Sequence, residues 1–309
     1  MTEAKGSYST LVINCVLNSF LSSTAILLII ITIQALRKTP SLSKPLKTLL
    51  LSLAVSDLCV GFLVQPTYIA VLIMKIEQNA DNGAYYTIYD AFCIQSYLFS
   101  FASFFGIVAL TADRFLASHL HLRYQELVTH KRVVAVVSSV WVLSTLIALL
   151  ALQWIRILAY ILAAIHIVCY ITTGLFYCKI YAVIRHHANH TLQQSAQNED
   201  VANVARLRKT AVVTFYVYLV FLVCYLPIFC TGVARIHGET PLLSLLSEFS
   251  YTFAYLNSSL NPLIYCWKMR KIRQTAKNIL EGIFPCGTWI EAIFQNNSAF
   301  YLGGKKNPY

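Results

Sequence analysis

Asp57 is a carboxylate inside an otherwise apolar run, LLLSLAVSDLCVGFLV, at residues 49–64. The run is typical of a membrane span, and a charged side chain at bilayer depth costs roughly 2.5–3.5 kcal/mol on insertion scales. Such a residue persists when it faces a polar cavity and meets partners there. The sequence therefore predicts that hydrophilic side chains from other spans lie close to Asp57.

A second apolar run carries three serines, Ser96, Ser100 and Ser103, followed by the pair Asp113–Arg114. The serine spacing places all three on one helix face. Arg114 returns to nearly the same face about three turns later, roughly 16 Å deeper. Serines can instead bond to their own helix backbone, whereas an arginine beside an aspartate at the end of an apolar helix needs a pairing partner or a cavity.

A third run repeats the pattern, because Asn257, Asn261 and Tyr265 step by four residues and form one polar stripe. Pro262 removes one backbone hydrogen bond there, a break that persists in a membrane when neighbours or water satisfy the freed groups. We expect one polar cluster with a single charge, which would suit either a small hydrated cation or an ordered water network. Its predicted members are Asp57, Ser103, Asn257, Ser258 and Asn261.

Another proline lies within FLVCYLPIF at residues 221–229, where Pro227 should kink a helix near Val223. Phe221, Tyr225 and Phe229 share one face of this helix. Aromatic residues at this spacing are usually core packing. A kinked helix below a polar cavity is also a candidate hinge, and Pro227 and Pro262 are the two hinge candidates.

Long apolar helices must position these side chains. The chain is 57% hydrophobic and 12% charged, whereas a soluble domain is roughly half apolar and a quarter charged. Seven stretches reach the ~20 residues that a helix needs to cross a bilayer, and backbone groups in lipid must bond within their own segment. The predicted spans are 11–36, 47–74, 88–116, 132–154, 157–184, 208–236 and 242–267.

Lysine and arginine set the orientation. Most lie after the odd-numbered spans, and the opposite side holds only Lys5, Lys75, Arg156 and Arg235. This distribution predicts that the amino terminus of a multi-pass membrane protein lies outside and the tail in the cytosol. The net charge of +11 then indicates contact with anionic lipid and a cytosolic partner, not nucleic acid. The predicted organisation is an extracellular segment 1–10, a seven-transmembrane domain 11–267, an amphipathic membrane-surface helix 268–284 and a cytosolic tail 285–309.

Three shorter predictions concern the cytosolic side. Ile272, Ala276 and Ile279 form an apolar stripe among cations, typical of a helix lying on the membrane surface. The polar segment 186–207 is predicted to be a mobile loop. Cys286, in FPCG, is either acylated or a free thiol, since the motif is weak.

Taken in order, five short motifs resemble those of the rhodopsin-like (class A) G-protein-coupled receptors: LAVSD (53–57), DRF (113–115), Trp141, CYLP (224–227) and NPLIY (261–265). The resemblance covers residues 11–283 and looks most like the melanocortin, adenosine and cannabinoid branch. It implies an all-α seven-transmembrane helix bundle with a short amphipathic eighth helix. It also implies a receptor, not an enzyme, that binds an extracellular ligand and activates a heterotrimeric G protein.

The resemblance assigns roles to particular residues. Asp57 would anchor a sodium ion, with the polar cluster as its helpers, and G-protein coupling would fall to Asp113, Arg114, Tyr177 and Tyr265. The helix faces on which they lie make seven residues candidates for the ligand pocket: Ser96, Tyr97, Ser100, Tyr225, Phe229, Tyr251 and Tyr255. Apolar walls with few polar points suit a small neutral molecule, a lipid or a short peptide.

The chain departs from the family pattern at several positions. Ile29 replaces the usual asparagine of span one, and Leu207 replaces the acidic residue that often holds the arginine of span three. The second change predicts a weak inactive lock and raised basal activity. Tyr89 and Cys169 replace the usual cysteine of span three and proline of span five, and 154–157 leaves almost no second outer loop.

Two other functions remain open on the sequence. A membrane transporter would also keep a polar site at the midplane and broken helices, although it would more often show an internal repeat. A receptor that signals constitutively without a ligand is the other alternative.

Overall fold

The computed structural model describes residues 2–40, 42–78, 83–120, 123–193, 198–238 and 240–283. Every regular element within these ranges is helical, which confirms the predicted all-α class. The elements are α1 (Thr2–Lys38), α2 (Lys44–Cys59), a π-helical turn (Val60–Val64), α3 (Gln65–Ile76), α4 (Gly83–Leu120), α5 (Tyr124–Leu127), α6 (His130–Gln193), α7 (Asn198–His237), α8 (Pro241–Lys268) and α9 (Arg270–Ile283).

The predicted spans 132–154 and 157–184 both lie within the helical run α6, consistent with the prediction that residues 154–157 leave almost no second outer loop. The sequence LQWIRILAYIL at 152–162 has no glycine or proline to end the helix. Trp141 and Tyr177 nevertheless both contact α4, at Phe99 and Thr111. These partners are about 18 Å apart along α4, whereas a straight α6 would separate Trp141 from Tyr177 by about 54 Å. The chain direction of α6 therefore reverses between them.

The helices also extend beyond the predicted span ends. The stretch 186–207, predicted as a loop, is helical to Gln193 and again from Asn198, because it lacks glycine and proline and is rich in residues compatible with a helix. The amphipathic segment predicted at 268–284 is helical from Arg270 to Ile283. The tail 285–309, with Cys286, lies outside the described residues.

Six stretches of the described helices are long and apolar enough to cross a membrane: Tyr8–Lys38, Lys44–Ile76, Gly83–Leu120, His130–Gln153, Ala164–Val183 and Lys209–Arg235. The seventh predicted span, 242–267, corresponds to α8, which is 28 residues long and is not one of these six stretches. Its polar residues face the protein interior, because both asparagines and all of its serines except the half-buried Ser244 are buried. It packs against α1 and α7 and completes the predicted seven-helix bundle.

The π-helical turn Val60–Val64 lies against α1. The Gly61 carbonyl accepts a hydrogen bond of 2.7 Å from the Ser22 hydroxyl. A Cβ atom added at Gly61 would lie 3.3 Å from Ile26 Cγ1 and 3.5 Å from Ala25 Cβ. Glycine therefore permits the close approach of α1 to the span that carries Asp57.

We expect Gly61→Leu to lower the thermal stability of the protein, because forcing extra atoms into a packed contact typically costs about 1–3 kcal/mol. Gly232→Leu in α7 is the matched control, since nothing lies within 4 Å of a Cβ added there. Thermal unfolding of both purified variants in detergent measures the difference. Equal melting temperatures for the two variants would contradict the role given to Gly61.

Candidate functional site

The Asp57 carboxylate is fully enclosed between α2 and α8. The side chain is 1% exposed. Asn261 Nδ2 donates to Oδ2 at 2.8 Å, and the Ser258 hydroxyl donates to Oδ1 at 3.0 Å. Both carboxylate oxygens thus take hydrogen bonds from α8, which confirms that the two predicted polar segments converge.

Ser103 joins this cluster indirectly. Its hydroxyl lies 2.9 Å from the Ser56 hydroxyl, not on the Asp57 carboxylate. Ile29 of α1, which replaces the asparagine that is usual in span one, is fully buried in a cluster with Ala54. Its side chain is apolar, so it cannot donate a hydrogen bond to the Asp57 carboxylate.

Four buried atoms of α8 have no hydrogen-bond partner among the described residues. They are Asn257 Oδ1 and Nδ2, Asn261 Oδ1 and the Tyr265 hydroxyl. Leaving a buried polar atom unsatisfied typically costs about 1–3 kcal/mol. Acceptor oxygens beside a carboxylate are the donor set that a hard cation prefers, so the chemistry of these residues fits a small cation or ordered water.

Arg114 and Asp113 form a buried pair at the inner end of α4. The guanidinium donates to Asp113 Oδ2 through Nη2 and, at 2.9 Å, through Nε. Its Nη1 donates to Thr210 Oγ1 of α7 at 3.0 Å. One hydrogen bond from this arginine therefore crosses to the helix that carries Pro227.

The second oxygen of Asp113 is held by α5. The Tyr124 hydroxyl donates to Asp113 Oδ1 at 2.7 Å. Burial raises the pKa of Tyr124 above its usual value, and the Asp113 carboxylate raises it further. Tyr124 therefore stays protonated and remains a hydrogen-bond donor.

Tyr177 and Tyr265, which were predicted to close around Arg114, contact other residues in this conformation. The Tyr177 hydroxyl accepts a hydrogen bond of 3.1 Å from Thr111, and its ring packs against Phe215 of α7 at 5.1 Å. Tyr265 is 1% exposed. The described hydrogen-bond partners of Arg114 are Asp113 and Thr210, so neither tyrosine bonds to it in this conformation.

The serines of α4 link the outer half of the bundle. The Ser96 hydroxyl lies 3.2 Å from the Tyr255 hydroxyl of α8. One turn deeper, the Tyr225 hydroxyl of α7 donates to Ser100 Oγ at 3.4 Å. Tyr225 also stacks on Phe221 with ring centroids 4.2 Å apart. The predicted pocket residues on three different spans are thus brought together.

The remaining pocket candidates surround this link. The Tyr251 ring packs 6.4 Å from that of Tyr255, and Tyr97 stacks on Phe101 at 6.4 Å. Phe229 lies 6.4 Å from His166 of α6. Sequence reasoning missed His166, which packs 4.3 Å from Phe104, because a lone histidine in an apolar span carries no motif.

Sequence reasoning also missed a charged cluster at the outer end. Lys75 Nζ of α3 lies 2.6 Å from Glu248 Oε1 of α8, and the Tyr68 hydroxyl donates to Glu248 Oε2 at 2.7 Å. The sequence could have indicated this ion pair through the opposite charges at the outer ends of spans two and seven. It was not predicted because the order of the spans does not show that these two ends lie side by side.

A neutral polar network ties α1 to α8 below this cluster. The Thr252 hydroxyl donates to Asn14 Oδ1 at 2.6 Å and accepts from Asn18 Nδ2 at 2.8 Å. Gln65 Nε2 donates to Asn18 Oδ1 at 3.5 Å. All four side chains are buried, which explains why such polar residues persist within the spans.

The family model described as "7 transmembrane receptor (rhodopsin family)" matches residues 26–173 and 152–265. An adenosine receptor A3 from Canis lupus familiaris is 26% identical over 289 residues, covering 83% of this chain and 87% of the relative. A melanocortin receptor 4 from Danio rerio is 24% identical over 293 residues, covering 90% and 86%.

A cannabinoid receptor 2 from Mus musculus is 25% identical over 308 residues, covering 91% of this chain and 84% of the relative. These relatives confirm the branch that the sequence motifs indicate, and they are receptors, not enzymes. The buried carboxylate of span two, the arginine pair of span three and the seven-helix bundle are consistent with the matched family. The chain belongs to the rhodopsin family of seven-transmembrane receptors and is a G-protein-coupled receptor.

Proposed function

We propose that this receptor binds its extracellular ligand among the α4, α7 and α8 side chains of the outer half and activates a heterotrimeric G protein through Arg114. One observation carries the proposal: hydrogen-bonded contacts between spans occur at three depths. They are Ser96–Tyr255 in the outer half, Asp57–Asn261 in the middle and Arg114–Thr210 at the inner end. The amino terminus then lies outside the plasma membrane and the tail in the cytosol.

The mechanism is a shift between two conformations. The ligand binds more tightly to the state in which the inner half of α7 has swung outward around Pro227, with Pro262 as the second hinge. Arg114 then leaves Asp113 and Thr210 and meets the Gα subunit, while Tyr177 and Tyr265 hold the open state. A shift from about 1% to about 99% open requires a preference of about 5.5 kcal/mol.

A sodium ion at Asp57 favours the closed state in this proposal. The ion would be held by Asp57, Ser103, Asn257, Ser258 and Asn261. Support comes from the unsatisfied buried atoms of Asn257 and Asn261 beside the carboxylate. The ion supplies a positive charge that offsets the buried carboxylate.

The helix α9 offers its cations to the membrane surface. Its apolar residues Ile272 and Ala276 are buried in the core of the bundle, whereas Arg270 and Lys271 are exposed. The exposed cations favour contact with anionic lipid headgroups.

The ligand class is a small neutral molecule, a lipid or a short peptide. The relatives are named for adenosine, melanocortin and cannabinoid ligands, which differ in chemistry, so likeness alone selects none of them. The uncharged pocket contacts Ser96–Tyr255 and Ser100–Tyr225 support this range.

Nucleotide exchange on purified Gα subunits tests the proposal. Membranes containing the receptor are measured without ligand and with a library of the three ligand classes, beside membranes lacking the receptor. Receptor-dependent exchange with any Gα subtype is the expected result. No exchange above control membranes, together with solute flux in receptor vesicles, would favour the transporter alternative.

Constitutive signalling is the second candidate, and the Arg114–Thr210 contact favours it because the acceptor is uncharged. We expect Thr210→Val to raise exchange in the absence of ligand, since a hydrogen bond to a charged group contributes about 1.5–3 kcal/mol. Thr210→Glu should lower exchange by restoring a charged partner. Equal basal exchange in wild type and both variants would show that this contact does not hold the closed state.

A further inference from the structure

In the charged cluster at the outer end of the bundle, Glu248 is held more firmly than its ion-pair partner Lys75. Glu248 is held by Tyr68, whose hydroxyl lies 2.7 Å from its Oε2 atom and 3.0 Å from its backbone oxygen. Lys75 belongs to the last turn of α3 and reaches the carboxylate with a flexible stem. The Lys75 side chain is 28% exposed and that of Glu248 12%. The carboxylate is therefore the fixed partner and the ammonium the mobile one.

Aromatic rings form the wall beside this carboxylate. Tyr68, itself 1% exposed, packs 5.1 Å from Phe92, 5.5 Å from Tyr251 and 5.7 Å from Tyr255. Packed rings exclude water from this side of the carboxylate, and a charge in a less polar surrounding attracts an opposite charge more strongly. A carboxylate beside such rings is a site for a cation and repels an anion.

We propose that Glu248 anchors a positively charged group of the extracellular ligand, and that Lys75 is a tethered stand-in for that group. This proposal rests on the receptor function above and adds a cationic end to an otherwise neutral or apolar ligand. Lys75 can turn its ammonium outward to water while its stem stays on the protein. An ion pair whose lysine is partly exposed to water contributes little net stability, so exchanging one ammonium for another costs little.

The position of the site connects it to the pocket. Tyr255 contacts the Tyr68 ring on one side and the Ser96 hydroxyl of α4 on the other. A ligand whose cation lies at Glu248 would therefore extend its remaining part toward Ser96. Displacing Lys75 also removes the ion pair between α3 and α8, which loosens the outer end of the bundle when the ligand arrives.

Chemical replacement of the lysine tests the proposal. Lys75→Ala removes three methylene groups and the ammonium, which together correspond to n-propylammonium. We expect millimolar n-propylammonium to raise the melting temperature of purified Lys75→Ala receptor in a saturable manner, and n-propanol at equal concentration to have no such effect. Lys75→Ala/Glu248→Gln is the matched variant without the carboxylate, and it should lose the response.

Each outcome is decisive. A saturable shift in Lys75→Ala that disappears in the double variant supports a cation site at Glu248. No shift in folded Lys75→Ala, or an equal shift in the double variant, overturns it. If Lys75→Ala does not fold, the same amine is added during expression of Lys75→Ser: recovered receptor yield supports the site, and unrecovered yield refutes it. The melting temperature is measured on the receptor without G protein. A negative result therefore refutes the cation site only, whereas the nucleotide-exchange assay tests the proposed function separately.

Discussion

Arg114→Ala is expected to abolish nucleotide exchange on the Gα subunit while the receptor still reaches the cell surface. In the proposed open state this guanidinium is the group that meets Gα, and no other arginine is buried at the inner end among the described residues. Exchange should fall to the level of membranes without receptor, with or without ligand. Surface labelling on intact cells measures the amount of receptor in parallel.

Arg132→Ala is the matched control, because Arg132 is an exposed arginine on the same side whose side chain bonds the Leu127 carbonyl at 2.8 Å. It should retain exchange. The substitution at Arg114 also leaves Asp113 without its buried partner, a loss that typically costs about 3–5 kcal/mol. Asp113→Asn/Arg114→Ala removes that buried charge, so it should reach the cell surface at least as well as Arg114→Ala and should still lack exchange. Exchange at wild-type levels in either Arg114 variant would refute the assigned role.

Asp57→Asn is expected to eliminate the stabilisation of the receptor by sodium. Wild-type receptor should melt at a higher temperature in sodium chloride than in choline chloride at equal ionic strength. A ligand that binds only the folded state at 100 times its Kd stabilises by about 2.7 kcal/mol. The amide keeps the shape of the carboxylate but not its charge, so the variant should melt equally in both salts.

Asp90→Asn is the control for this experiment, because Asp90 is an exposed carboxylate of α4. It should keep the sodium response of the wild type. Ser258→Ala should weaken the response without removing it, since Ser258 contributes one neutral hydroxyl to the cluster. A sodium-dependent shift that survives Asp57→Asn would place the ion elsewhere or exclude it.

The sequence was sufficient to bring Asp57 and Asn261 together. A carboxylate in an apolar helix has few ways to avoid its desolvation cost, and the polar stripe of α8 offered matching donors. The four-residue spacing of Asn257, Asn261 and Tyr265 then determined that all three would be buried, and each is at most 1% exposed. Strong energetic penalties make such contacts predictable from residue type and spacing.

Contacts whose absence would cost little free energy could not be predicted from residue type and spacing. Thr210 bonds Arg114 at 3.0 Å, yet a threonine at the end of an apolar helix is equally stable bonded to its own backbone. Ser103 was expected on Asp57 and lies 2.9 Å from the Ser56 hydroxyl instead, because Ser56 and Asp57 belong to the same turn of α2 and the spacing of α4 does not determine which of them Ser103 meets. The helical conformation of residues 186–193 and 198–207 was not predicted, because hydropathy reports membrane crossings and not the backbone conformation of the polar segments between them.

The π-helical turn Val60–Val64 affects how this chain can be matched to its relatives. Such a turn inserts one residue into an α-helix, which rotates everything beyond it by about 100° relative to uninterrupted helix. An alignment that counts residues outward from Asp57 would therefore pair the outer half of this span with the wrong residues of a relative whose second helix is regular. The error would be one position. Chimeras and residue exchanges that transfer ligand selectivity through Tyr68 or Lys75 need a one-residue gap within 60–64.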